Sequence, residues 1–431
     1  MCILMNVLNY LKNTSKYLLR SYPFIASSLK DVEEYYALSV MGSRMKDETN
    51  FIRLFQKAYD ESPFYHKLYS ENGICRTDIK SLDDISKLPI ITKDDVRANA
   101  EDILVGPKWK AMKAYTSGTT GKSLYIYQDM PSVWREQAYL YHYRRLCGFT
   151  YGEALVSMRG HLDSRQFSMR LPVGNILYLS SYQIRRENVF RYGDEILKHK
   201  PKAIEGYPSS IYNLCCLFKE MGVTIHIPLC FTSSETLFDY QRKLFHEILG
   251  CETYDWYGCT EKSIALVECE NHDGYYELPG YSINEYIDDG IITTSLINDC
   301  FPLIRYKVND LIVPMSGYNA SSITEPKVER LEGRTESYVI TKNGTIVGRL
   351  NFLFKDIDNI KLAQIVQKES GAITINIVPE GEWDCSQTDK IMKYVDERIG
   401  LEQIDCTVSI VTDADIIYTS RNKFNQVVRL F

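Results

Sequence analysis

No stretch of this 431-residue chain reaches the ~20 consecutive apolar residues that a membrane-spanning helix needs, so no integral membrane segment is expected. Neither sign of charge dominates. Lys and Arg number 50 against 56 Asp and Glu, a formal net charge of -6, and without a broad positive field a nucleic acid is not an expected partner. The 12 cysteines are irregularly spaced and follow no secretory leader, which argues against a disulfide framework and for reduced thiols in a cytoplasmic protein. Internal repeats and low-complexity segments are lacking. So is a Walker A loop: the glycine required five residues before Gly121 is replaced by Thr116.

The composition that remains is that of an ordinary globular protein, 45% hydrophobic and 25% charged. At roughly 150 residues per domain, the length allows two or three domains. Met1 to Phe24 reads as an amphipathic helix packed on the body, with a membrane-surface contact through Lys12, Lys16 and Arg20 as the other reading. Residues 29 to 60 predict helices whose buried face includes Leu38, Met41, Met45, Phe51, Leu54, Phe55 and Tyr59. Ser62-Pro63-Phe64-Tyr65 reads as a turn. Thr92 with Asp95 predicts a helix N-cap with an acidic first turn, and an aromatic- and arginine-rich helix is expected over 131 to 149.

Between 151 and 250, short apolar runs at 154–158, 203–205 and 229–232 alternate with amphipathic helical runs at 188–199, 209–221 and 237–249. That alternation predicts an α/β layer with largely parallel strands. From 262 to 332 the texture turns to β. A small C-terminal domain is expected to begin near Gly333-Arg334, with strands near 338–341, 360–368, 371–378 and 405–411 and a helix near 387–400. The domains are thus 1–332 and 333–431.

Five stretches carry chemistry. Tyr115-Thr116-Ser117-Gly118-Thr119-Thr120-Gly121-Lys122-Ser123 combines glycines, which let backbone N–H groups turn inward, with hydroxyl donors, so it can wrap polyphosphate oxygens. By composition alone it equally reads as a surface turn. Tyr254-Asp255-Trp256-Tyr257-Gly258-Cys259-Thr260-Glu261 puts an aromatic face and a carboxylate on one turn, able to stack a base and to hold Mg²⁺. Asp310, after the strand-like Pro302 to Asn309, can accept ribose hydroxyls or simply end a strand. Arg334 can meet ribose or phosphate oxygens or form a surface ion pair. Lys423, in Ser420-Arg421-Asn422-Lys423, would by itself be a solvated charge.

In order and spacing these stretches resemble the signature segments of the adenylate-forming, AMP-binding enzymes. The narrower resemblance is to the phenylacetate-coenzyme A ligase group and its CapK-like capsular polysaccharide branch. It is carried by Ser62-Pro63-Phe64-Tyr65, by Leu88 to Arg97 and by Thr232-Ser233-Ser234-Glu235-Thr236-Leu237, and it runs from about residue 50 to the end. The resemblance implies an α/β fold: a large N-terminal domain of layered α/β and β subdomains plus a small, mobile α+β C-terminal domain. It implies that ATP activates a carboxylic acid as an acyl-adenylate, which is then passed to a thiol such as coenzyme A or to an amine.

Carried over by position, Thr116, Ser117, Gly118, Thr119, Thr120, Gly121 and Lys122 would cradle phosphates, and Glu261 would bind Mg²⁺. Tyr257 would lie against the adenine, Gly258 and Thr260 would also bind the nucleotide, and Asp310 would bind the ribose hydroxyls with Arg334 beside them. Lys423 would neutralise charge developing between carboxylate and α-phosphate, and Glu336 would mark the hinge of the small domain. Glu205-Gly206-Tyr207-Pro208 would line the acyl pocket. The chain departs from the family pattern at Lys307-Val308-Asn309 before Asp310 and at Arg421-Asn422 before Lys423. Those departures sustain a second reading, a nucleotide-binding scaffold for polysaccharide assembly without turnover. A zinc set drawn from Cys251, Cys259, Cys269, His272 and Cys300 is set aside in favour of plain thiols, since Tyr276 stands where relatives tend to have His. His142 and His161 read as structural rather than as active-site bases.

Overall fold

The apolar runs between 151 and 250 do become a parallel layer. In the computed structural model, which describes the chain outside residues 1, 116–123, 159–161, 163–165, 236, 238, 288–289, 309, 316, 318–325, 334–337, 349, 355–356, 358, 380 and 418–425, strand Leu155–Met158 pairs in parallel with Ile176–Leu179 and with Ala203–Gly206. Ala203–Gly206 in turn pairs in parallel with Leu229–Ser233, and Ser168–Leu171 adds an antiparallel edge. These four-to-five-residue strands are almost wholly buried, which is why they read as continuous apolar runs and not as alternating ones. Helices Val189–His199, Pro208–Met221 and Asp239–Leu249 cover the layer with Tyr192, Ile196, Ile211, Leu214, Phe218, Phe245 and Leu249.

By packing, Ala154–Thr253 groups with Gly333–Phe431 in one compact unit, while Met1–Thr116, Leu124–Glu153 and Tyr254–Glu332 form the other. Within the former, the C-terminal segment has its own four-stranded sheet. Strand Ile360–Glu369 pairs antiparallel with Ala372–Pro379 and in parallel with Val427–Arg429, and Ala372–Pro379 pairs in parallel with Asp405–Ile410. Helix Cys385–Arg398 closes a separate core over Ile365, Ile375, Ile377, Ile391 and Val395.

The other unit begins with helices Cys2–Leu19, Ala26–Ala37, Val40–Glu61 and Pro63–Glu71. Two expectations are corrected here. Ser62-Pro63-Phe64-Tyr65 is a helix start and not a turn: the Ser62 hydroxyl accepts from Tyr65 N at 3.4 Å and Pro63 takes the first helical position, where its missing N–H costs nothing. Met41 and Met45 are exposed. At about 100° per residue they stand roughly 80° and 120° from Phe51, outside the arc of Phe51, Leu54, Phe55 and Ala58 that is buried. Thr92 and Asp95 form a reciprocal capping box, as their spacing predicts.

Strands Met112–Tyr115 and Tyr125–Gln128 pair antiparallel, Tyr115 opposite Tyr125, and bracket the glycine- and hydroxyl-rich segment. Further on, Ala265–Glu268 pairs antiparallel with Tyr275–Glu277 and with the end of Glu252–Gly258. A three-stranded antiparallel sheet is made by Ser282–Ile287, Gly290–Ser295 and Tyr306–Val308. Leu88 to Ile91 runs beside the last of these: Ile91 N donates to Arg305 O at 3.0 Å, and Lys307 N donates to Ile91 O at 2.9 Å.

Candidate functional site

Strand Glu252–Gly258 delivers Tyr257 and Gly258 to its end, and the chain then turns through Cys259 to Lys262. Tyr257 Oη donates to Asp310 Oδ2 at 2.8 Å, so the aromatic turn and the strand-end carboxylate, 53 residues apart, meet. Glu261 is buried, and its Oε1 accepts from Tyr306 Oη at 3.3 Å. Gly258 and Thr260 are exposed between them. A β-carbon at Gly258 would stand 2.8 Å from Trp256 Nε1, so only glycine lets the turn leave the strand beside that indole.

The turn is pinned from behind. Lys262 has φ 54, the left-handed region that costs a non-glycine residue about 1 kcal/mol or more, and its buried ammonium pairs with Glu136. Ser295 Oγ donates to Lys262 O at 2.7 Å and Thr293 Oγ1 to Ser263 O at 2.5 Å, which ties the turn to strand Gly290–Ser295. Cys259 Sγ lies 3.1 Å from Ser263 Oγ, and burial, reinforced by the Glu261 charge, pushes its thiol up to about 12.

Arg305 holds the other side and has no role in the sequence reading. It too has a left-handed backbone, φ 50. Its Nε and Nη2 donate to Glu285 Oε1 and Oε2 at 2.9 and 2.8 Å, its Nη1 donates to Leu88 O at 2.6 Å and to Ser86 O at 3.1 Å, and its backbone N donates to Thr294 Oγ1 at 3.0 Å. The guanidinium thus locks the residue next to Tyr306, whose hydroxyl reaches Glu261. A lone arginine between Ile304 and Tyr306 in a strand-like run was the available signal.

In the other unit, Ser157 Oγ donates to buried Glu205 at 2.7 Å, and a β-carbon at Gly206 would sit 3.1 Å from Ile211 Cγ1, so the start of Glu205 to Pro208 is tightly packed. Glu235 Oε2 accepts from Ser209 N at 3.1 Å, and burial holds this carboxyl above the ordinary range. A cavity of about 40 Å³ lies beside them, with Ser181, Tyr182, Ser209, Asn213 and Arg398 in its wall.

Thr116 to Lys122, His161, Arg334, Glu336 and Lys423 lie outside the described residues. His142 is buried, packs on Tyr36 at 4.3 Å between ring centroids, and titrates below the ordinary imidazole range because of burial and the Arg145 charge. The cysteines that could form a zinc set have separate neighbours: Cys251 faces Thr253, Cys259 faces Ser263, and Cys300 donates to Asn298. Among the described residues, no three His, Cys, Asp or Glu side chains are grouped so as to hold a metal.

Residues 339–429 match the CapK C-terminal domain family. The chain is 25% identical to Protein CapK of Staphylococcus aureus over 390 residues, 85% of this chain and 83% of that protein. It is 24% identical to the phenylacetate-coenzyme A ligase of Pseudomonas putida over 66% of this chain and 69% of that one. Among solved structures, 2-hydroxyisobutyryl-CoA ligase with 2-HIB-AMP and CoA, in the thioesterification state, superposes with a TM-score of 0.58 at 17% identity, covering 90% of this chain and 89% of that one. The same ligase in the postadenylation state with 2-HIB-AMP gives 0.54 at 17% identity, again over 90% and 89%. The chain has the α/β fold of 2-hydroxyisobutyryl-CoA ligase, and its residues 339–429 match the CapK C-terminal domain family.

Proposed function

We propose that this protein is an AMP-forming carboxylate ligase: it activates a carboxylic acid with ATP and transfers the acyl group to a thiol, coenzyme A, or to an amine. The observation that carries the reading is the bond between Tyr257 and Asp310, which brings together an aromatic face, able to stack a base, and a carboxylate, able to accept ribose hydroxyls. Asp310 accepts the ribose hydroxyls, Arg334 meets ribose or phosphate oxygens, and Tyr257 lies along the base. Residues 116–122 hold the β- and γ-phosphates through backbone N–H groups, hydroxyls and Lys122.

Glu261 fits a hard cation: it is a buried carboxylate, and the partner of its Oε1 is a neutral phenol, which leaves its charge uncompensated by that contact. Glu261 would hold Mg²⁺, which when bound would supply positive charge to stabilise the departing pyrophosphate. Lys423 offsets charge as the substrate carboxylate attacks the α-phosphorus, and the rate is gained by positioning and electrostatics without a protein nucleophile. Residues 333–431 act as the lid, turning about Glu336 between the two half-reactions. Glu205 to Pro208 belong to the acyl pocket. From the sequence resemblance to the CapK-like branch we infer a cytoplasmic role in capsule or surface polysaccharide synthesis.

Acid-dependent exchange of labelled pyrophosphate into ATP tests the reading. Exchange with one member of a panel of aryl, acyl and amino acids, lost in Lys423→Ala, is expected. Intact ATP binding with no exchange across the panel would leave the nucleotide-binding scaffold as the better account.

A further inference from the structure

Residues 1–24 contain Lys12, Lys16 and Arg20 and no Asp or Glu, in a chain whose net charge is -6. The structure turns much of this segment outward. Leu11, Leu18, Leu19, Tyr22 and Phe24 are 56%, 43%, 45%, 55% and 46% exposed, and Lys16 and Arg20 are exposed with them. Single exposed leucines are commonplace, but five large apolar side chains within fourteen residues are not single.

Their placement is ordered. At about 100° per residue, Leu18, Leu11, Ser15, Leu19 and Lys16 fall on one arc of helix Cys2–Leu19, roughly from -100° to +60° around Leu19. Tyr17 lies on the opposite side and is half-buried, its ring stacked on Tyr151 at 6.2 Å. Trp134 fixes the end of the helix: its Nε1 donates to Leu19 O at 2.8 Å, and its ring stacks with Phe24 at 6.1 Å. One side of the helix is therefore anchored to the body, and the other presents leucines beside Lys16, with Arg20 exposed just past the helix end. No helix among the described residues is long and apolar enough to cross a membrane, so the segment is suited to lying on a surface and not to spanning one.

We propose that residues 10–24 dock this protein on an anionic lipid surface, with Leu11, Leu18, Leu19, Tyr22 and Phe24 entering the headgroup boundary and Lys16 and Arg20 meeting lipid phosphates. Charge selects this occupant: the segment is purely cationic, and a second copy of the chain would set its cations against themselves. A basic residue near an anionic membrane strengthens binding about fivefold, so the pair is worth on the order of 25-fold.

The test is flotation of the full chain with vesicles of phosphatidylcholine alone and of equimolar phosphatidylcholine and phosphatidylglycerol. Binding to the anionic vesicles, weakened by salt, is expected. The double variant Lys16→Ser, Arg20→Ser should lose about 25-fold of that binding, and Leu18→Ser with Phe24→Ser should lose it at every salt concentration. The salt titration of the unaltered protein needs no variant, and unchanged melting curves exclude misfolding as the cause of a loss. Equal binding to both vesicles, no binding to either, or a dimer in light scattering that Leu18→Ser converts to monomer would each overturn the proposal.

Discussion

Replacing Arg305 by Met should destabilise the unit that carries Tyr257, Glu261 and Asp310 by about 3 kcal/mol. Met retains most of the apolar stem and meets the same φ of 50, so backbone strain cancels between the two proteins. What is removed is a guanidinium with two bonds to Glu285 and two to the carbonyls of Leu88 and Ser86, at 2.6 to 3.1 Å. The Arg305 and Glu285 side chains are 11% and 29% exposed. Breaking one side of a fully buried pair costs about 3 to 5 kcal/mol, and partial solvation of Glu285 sets this case at the lower end. Urea unfolding followed by tryptophan fluorescence in a Trp383→Phe background isolates the unit, because Trp109, Trp134 and Trp256 all lie within it. The cycle of Arg305→Met, Glu285→Gln and the double variant should give a coupling of about 2 kcal/mol. A single-variant loss below about 1 kcal/mol, or strict additivity, would refute the assignment of Arg305 as the lock beside Tyr306.

Gly280→Ala should cost at least about 3 kcal/mol, since its φ is 78 and the new carbon would lie 2.4 Å from the Tyr35 ring. Gly148→Ala, with φ 86 but open space, should cost about 1 kcal/mol in the same denaturation assay, and equal costs would contradict the packing argument. Burial pushes the Asp47 carboxyl up to about 7, with a hydrogen bond from Tyr35 opposing and the Glu277 charge reinforcing. The folded protein then holds a proton that the unfolded chain releases near pH 3.9, so this contribution is complete below that pH and is lost as the pH rises through about 7. Relative to Asp47→Asn, the stability of the unaltered protein should fall between pH 4 and pH 8; a parallel pair of curves would count against it. Tyr257→Phe removes the bond to Asp310 and should weaken ATP binding roughly tenfold by calorimetry with the fold retained; unchanged affinity would detach this bond from the nucleotide site.

Much of the architecture was legible because it is written in short-range pattern. Buried parallel strands must be apolar throughout and the helices covering them on one face only, so 151–250 announces its layer, and Thr92 with Asp95 announces a helix start within four residues. Patterns of equal local weight misled where phase or context decides: Ser62-Pro63 serves a turn and a helix N-terminus alike, and Met41 and Met45 keep helical spacing while missing the buried arc. The site divides on the same line. Motif spacing marks Tyr257, Glu261 and Asp310, but their supports come from far along the chain: Glu136 to Lys262, Leu88 and Glu285 to Arg305, and Tyr306 to Glu261. No local window contains both partners of such a contact. The supports also form a series, since Arg305 fixes the backbone from which Tyr306 reaches Glu261. Loss of Arg305 should therefore disturb Glu261 more than it disturbs the Tyr257–Asp310 bond, which departs from the far ends of both segments. Under the proposed function, Arg305→Met should weaken Mg²⁺ affinity more than nucleoside affinity in calorimetry, and equal losses would contradict this order of contacts.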